Sequence, residues 1–189
     1  MLGLDEAGCG PAFGELVASA VCIPETVIIP GLTDSKKLST KKRDVYYQEI
    51  IKKCQWSTGI VSNTEIDEMG LGEARRVVFE RALENFESKY PEFIMTKLIV
   101  DGTIFRKWKN VHHECIPKAD SLYSEVSAAS VIAKVTRDKL VTDLCSTYPY
   151  LDNFYCISQN KGYLTKKHVQ GIKKHGITEF HRKSYNIKL

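Results

Sequence analysis

Gly3-Leu4-Asp5-Glu6-Ala7-Gly8-Cys9-Gly10-Pro11 places two adjacent carboxylates at the end of a short apolar start, then a glycine–cysteine–glycine turn and a proline. Neighbouring side chains of a strand point to opposite faces. Asp5 and Glu6 can therefore share a site only where the strand ends and the backbone bends, and Gly8 and Gly10 supply that bend. The same glycines leave backbone N–H groups bare to approach an anion. Carboxylates attract a hard divalent cation, so metal beside phosphate is the chemistry this stretch points to. Standing alone it also reads as a solvated acidic turn.

Working outward, residues 1–5 form a first strand. Leu16-Val-Ala-Ser-Ala-Val-Cys-Ile23 is a second, buried and antiparallel to it through the glycine turn. A loop over 24–32 leads to Thr33-Asp34-Ser35-Lys36-Lys37-Leu38-Ser39. Ser39 or Thr40 caps a helix over 41–54. Lys36 and Lys37 before it make either a phosphate cradle or a solvated basic loop.

A third strand spans 55–62, a short helix 64–69 and a longer one 72–89, which Pro91 ends. Lys97-Leu-Ile-Val-Asp101-Gly102 is a brief buried strand ending in a carboxylate, and ligand sites gather at strand ends in open α/β sheets. Asp101 reads equally as a turn-starting aspartate. A fifth strand covers 111–116, with His112 and His113 straddling it and no shared metal. Asp120 stands at the N-cap of a long helix over 121–145, either as a cap or as a further carboxylate for the same metals. The buried stripe of that helix is Leu122, Val126, Ala129, Ile132, Ala133 and Leu140. A polar, aromatic loop over 148–160 precedes Lys161-Gly162-Tyr163 and a basic helix over 165–174, stopped by Gly176. This order gives an α/β fold, a mixed sheet with helices packed on it, in one domain over 1–189.

The 189 residues carry a net charge of +4, but unevenly: residues 153–189 hold eight Lys or Arg and a single acid. Tyr155, Tyr163, Phe180 and Tyr185 interleave with that charge, as on a nucleic-acid surface. No run of about 18 apolar residues exists, and no secretory signal is visible. The six cysteines fall in no Cys-x-x-Cys or Cys-x-x-His spacing, which argues against zinc and for reduced cysteines in an intracellular protein.

Taken together, these motifs resemble the ribonuclease HII (type 2 ribonuclease H) family. The resemblance rests on Asp5-Glu6-Ala7-Gly8-x-Gly10-Pro11, Asp34-Ser35-Lys36-Lys37-Leu38, Val100-Asp101-Gly102, Lys118-Ala119-Asp120 and Ser127-Ala-Ala-Ser-Val-Ile-Ala-Lys-Val-Thr-Arg-Asp138. It continues through Lys161-Gly162-Tyr163-x-Thr165-x-x-His168 with His181-Arg182-x-Ser184. It implies a ribonuclease H-like five-stranded mixed sheet flanked by helices, with a helical basic C-terminal segment from about residue 150.

The resemblance also implies endonucleolytic cleavage of RNA in RNA–DNA hybrids and incision at ribonucleotides embedded in duplex DNA. The products would be a 3′-hydroxyl and a 5′-phosphate. The family's four acids map to Asp5, Glu6, Asp101 and Asp120 as catalytic and metal-binding residues. Substrate contacts map to Gly8, Cys9, Gly10, Lys36, Lys37 and Tyr163. An all-oxygen set suits Mg²⁺ or Mn²⁺, and two such ions about 3.5–4 Å apart serve phosphodiester hydrolysis. Only the 2′-hydroxyl marks RNA at one position, so the glycine loop and Tyr163 are expected to contact it.

The expected protein is a cytoplasmic monomer without a membrane partner. The alternatives are a general nuclease of the ribonuclease H-like superfamily and a binding protein without catalysis. The sequence departs from the family pattern at Cys9, where arginine or lysine is usual, at Glu15 (proline) and at Leu164 (glycine). The loss of a charge at Cys9 predicts weaker binding of a single embedded ribonucleotide than of a longer hybrid.

Overall fold

The computed structural model describes residues 1–33 and 35–187, and of Lys36 only the backbone. Five strands form one sheet: β1 Leu2–Ala7, β2 Leu16–Cys22, β3 Gln55–Val61, β4 Lys97–Asp101 and β5 His112–Ile116. The strand order is β3-β2-β1-β4-β5. β1 pairs antiparallel with β2, and β2 with β3. β1 pairs parallel with β4, and β4 with β5. This is the five-stranded mixed sheet expected from the sequence.

Strand parity sorts the side chains between the two faces. On one face Leu2, Leu4, Ala18, Leu98 and Val100 pack against Ala74, Val78, Ala82 and Phe86 of α2, Asn63–Lys89. The other face meets α3, Ser124–Thr147, whose Ala128, Ala129 and Ile132 share a buried cluster with Ile50 of α1, Thr40–Lys53. Gly3 faces α3 so closely that a Cβ there would collide with the backbone of Glu125 and Val126. The small residues along α3 permit that approach, and it brings the turn before α3 down to the ends of β1 and β4.

Several local expectations are corrected. β1 does not end at residue 5 but runs to Ala7, because Glu6 and Ala7 keep their ladder with Ala18 and Val17. The division expected between helices over 64–69 and 72–89 does hold: Asn63–Lys89 breaks into two helices at Gly70, whose φ of 78° is not helical. Asp120 does not cap the long helix; it lies in a separate 3₁₀ turn, Ala119–Ser121, and Tyr123 takes the N-cap position of α3. Leu122 therefore leaves the buried stripe and is 69% exposed.

Residues 148–160 are not a loop but mostly two short helices, α4 Tyr150–Tyr155 and α5 Ile157–Asn160. They pack with Phe13 and with Ile172 of α6, Lys166–His175, as a small second core. Tyr155 and Phe180 belong to that core rather than to a charged surface. Arg182, counted with the basic tail, is wholly buried.

Candidate active site

The parallel register sets Leu4 beside Val100, so Asp5 and Asp101 follow as the next residues of neighbouring strands, on the face toward α3. Asp101 Oδ1 accepts the Ala119 N–H at 2.7 Å, tying the end of β4 to the 3₁₀ turn that carries Asp120. The Ser127 hydroxyl donates to the Asp120 carbonyl and joins that turn to α3. Carboxylate oxygens of Asp5, Asp101 and Asp120 lie within 4.8 Å of one another.

Glu6 points the other way, toward α2. Its Oε1 meets Arg75 Nη2 at 2.6 Å and accepts the Cys9 thiol at 3.4 Å. Glu6 Oε2 is buried with no hydrogen-bond partner. Thus the structure clusters three of the four acids, while Glu6, from the other face of β1, still lines one cavity with Asp5 and Asp101. All four are acids of a kind that suits a hard divalent cation, and the orphaned Glu6 Oε2 fits one.

The electrostatics are those of crowded, buried acids. Burial raises the Asp5 carboxyl well above its usual range, and the charges of Glu6 and Asp101 add to this. Burial also raises Glu6, against the opposing pull of Arg75. The Cys9 thiol is pushed up to about 12, chiefly by burial, and stays neutral.

These residues open on a cavity of about 310 Å³, walled also by Ser35, Ser130, Lys134 and Tyr163. The glycine loop forms its rim. Gly8 has a φ of 110°, and a Cβ there would strike Arg137. The loop's carbonyls turn inward: Gly8 O accepts Arg182 Nη1 at 2.6 Å and Cys9 O accepts the Tyr185 hydroxyl at 2.6 Å. Tyr163 is 48% exposed and its ring edge lies against Gly10. Ser35 bonds Ser130 at 2.8 Å, so the 3₁₀ turn Ser35–Lys37 borders the cavity with Lys37 exposed on it. Asp34 and the Lys36 side chain lie outside the described residues.

Sequence reasoning missed Arg75 and the bracing role of Arg137, and it read Tyr185 as a nucleic-acid-surface aromatic, whereas its hydroxyl holds the glycine loop. Arg75 and Arg137 sit among the buried positions of α2 and α3, and a cation on an apolar stripe was the available signal. Arg137 gives its guanidinium to the carbonyls of Phe13, Glu15 and Lys161, bracing the loop from beneath. Tyr185 gave no such signal, since its partner is a backbone carbonyl 176 positions away.

A family model described as Ribonuclease HII matches residues 2–188. A Ribonuclease HII of Rickettsia canadensis is 43% identical over 97% of this chain and 88% of its own length. That of Rickettsia bellii is 41% identical over 100% and 91%. Among solved structures, ribonuclease H2 from Pyrococcus horikoshii superposes with a TM-score of 0.75 at 26% identity, covering 97% of this chain and 92% of the other.

Proposed function

The chain belongs to the ribonuclease HII family and is a ribonuclease H, a divalent-metal-dependent endonuclease acting on RNA–DNA hybrids; from that premise we propose how its own residues do this. Asp5, Asp101 and Asp120, with Glu6 completing the set, hold the cations. The observation that carries the reading is the meeting of three aspartates from β1, β4 and the 3₁₀ turn, two of which, Asp5 and Asp101, line one cavity together with Glu6, the glycine loop and Tyr163.

Mg²⁺ or Mn²⁺, bound there, supplies an activated water and charge stabilisation for the leaving oxygen. The remaining work falls to the chain. Gly8, Cys9 and Gly10 present backbone N–H groups to the substrate, because their neighbours Arg182 and Tyr185 occupy the carbonyl side. Tyr163, stacked beside Gly10, reads the ribose 2′-hydroxyl. Lys36 and Lys37 hold backbone phosphates without reading sequence. The enzyme also incises at ribonucleotides embedded in duplex DNA and leaves a 3′-hydroxyl and a 5′-phosphate. It works as a cytoplasmic monomer over one domain. Among the described residues, no helix is long and apolar enough to cross a membrane.

The test uses three duplexes of one sequence with Mg²⁺ or Mn²⁺: a full hybrid, DNA with one ribonucleotide, and all DNA. Cleavage of the first two, sparing the third and abolished by Asp5→Asn, is the expected result. Cleavage of all three identifies a general nuclease instead. Binding without cleavage identifies a protein that has lost catalysis.

A further inference from the structure

Behind Tyr163 two histidines, both with no exposed surface, touch each other: His168 Nε2 and His181 Nε2 are 3.0 Å apart. Their protonation is fixed by what surrounds them. The Thr178 backbone N–H points at His181 Nδ1 at 2.9 Å and can only donate, so Nδ1 carries no proton and the Thr178 hydroxyl, 2.8 Å from the same nitrogen, donates to it as well. A neutral His181 then bears its proton on Nε2 and donates it to His168 Nε2. His168 in turn carries its proton on Nδ1, which reaches the Tyr163 carbonyl at 2.9 Å, a group that can only accept. The chain runs one way, from Thr178 through both imidazoles to Tyr163.

That bond lands on a residue whose placement matters. The Tyr163 carbonyl also accepts the Thr165 N–H at 2.7 Å, so both of its acceptor positions are used. The ring on the same residue lies against Gly10 at the rim of the cavity. The donor end of the chain lies in the segment that holds the opposite wall: three residues after Thr178 comes His181, then Arg182 on Gly8 O, then Tyr185 on Cys9 O. Rings of Phe13 and Tyr155 pack on His181, each with centroids 5.2 Å away, and keep water from substituting for either imidazole.

We infer that His168 and His181 are positioning residues for the ribose-reading step: a buried imidazole pair in fixed, opposite tautomers that sets Tyr163 against the glycine loop. A simple packing role would need neither nitrogen. The inference rests on the proposed role of Tyr163 as the reader of the 2′-hydroxyl. Burial supports it independently, since it lowers the basicity of both imidazoles and keeps them neutral near neutral pH.

The test has two arms on the whole protein. Long-range ¹⁵N–¹H correlation of histidine-labelled enzyme at pH 7.5 is expected to show His168 protonated on Nδ1 and His181 on Nε2. The reverse tautomers, or a charged ring in either residue, would overturn the inference. In the second arm, His168→Phe fills the space but breaks both bonds, whereas His168→Asn keeps an N–H near the Nδ1 position. His168→Phe is expected to lower kcat/KM on singly ribonucleotide-substituted DNA about tenfold, the worth of one hydrogen bond, with His168→Asn restoring most of it. Tyr163→Phe added to His168→Phe is expected to cost little more. If Tyr163→Phe alone costs nothing, the reading of Tyr163 fails and takes this inference with it. If Tyr163→Phe is costly while His168→Phe, folded by circular dichroism, is not, only the histidine pair is refuted.

Discussion

Arg75 Nη2 and Glu6 Oε1 are 2.6 Å apart, so one oxygen of Glu6 is committed to α2 while the other stays buried and without a partner. Strand parity put Glu6 on that side, and Arg75 compensates its charge there. A pair so buried is costly to break by removing one partner. Arg75 thereby aims the free oxygen of Glu6. Arg75→Met is expected to raise the Mg²⁺ concentration for half-maximal cleavage about tenfold, an effect of the size of a lost charge-assisted hydrogen bond. A metal titration of hybrid cleavage measures this, and an unchanged midpoint would show that Glu6 needs no such anchor.

Asp5 stands in a crowd of acids that raises its carboxyl well above the usual range. A raised carboxylate pKa means that the metal-free fold loses stability as pH rises through it. Asp5→Asn removes that repulsion. The variant should be inactive yet melt a few degrees higher than the parent in EDTA at pH 8, since each kcal/mol is worth about 2–4 °C in a chain of this size. Added Mg²⁺ should raise the melting temperature of the parent and leave that of the variant nearly unmoved.

His181 is held down to about 4 by burial, with the neighbouring His168 adding to it. A histidine whose folded pKa is depressed stabilises the fold above its unfolded pKa of about 6.5, and that contribution is lost as pH falls toward the folded value. Between about pH 6.5 and 4 the parent should therefore lose stability with a slope that His181→Gln reduces. Urea melts of both proteins across that range check the difference. Equal slopes would place the acid sensitivity elsewhere.

Cys9 donates its thiol to Glu6 at 3.4 Å and is neutral, so the loop offers a substrate no charge of its own at this position. Cys9→Arg is expected to increase incision at a single ribonucleotide more than cleavage of a long hybrid, because the hybrid has further contacts to compensate. Rates on the two duplexes, compared for parent and variant, decide it. An unchanged ratio would mean that the backbone N–H groups of the loop suffice.

What was legible in the sequence follows from how local each signal is. Strand and helix order came from periodicity and punctuation, and Ser39 does cap α1 by accepting the Lys42 N–H. Asp5, Glu6 and Asp101 were visible as candidates because carboxylates at strand ends are conspicuous, and Asp120 because it stands at the start of a long helix. Their grouping was less so. Parity in β1 separates Asp5 from Glu6, and that depends on the strand running two residues further than its apolar run suggested. Asp120 could not be told from a helix cap, since the 3₁₀ turn that holds it is stabilised by Asp101, 19 positions earlier. The tail misled for a similar reason: Arg182 and Tyr155 look like surface residues by type and are buried by partners distant in sequence.

The contact between Arg182 and the Gly8 carbonyl joins positions separated by 174 residues. During synthesis the glycine loop leaves the ribosome 174 residues ahead of its clamp. Early folding can build the sheet around β1 and β2, whose hairpin is local, but the rim of the cavity stays open until the segment carrying Arg182 and Tyr185 is released. A nascent chain, working beside messenger and ribosomal RNA, therefore carries its acids long before it carries a finished cutting site.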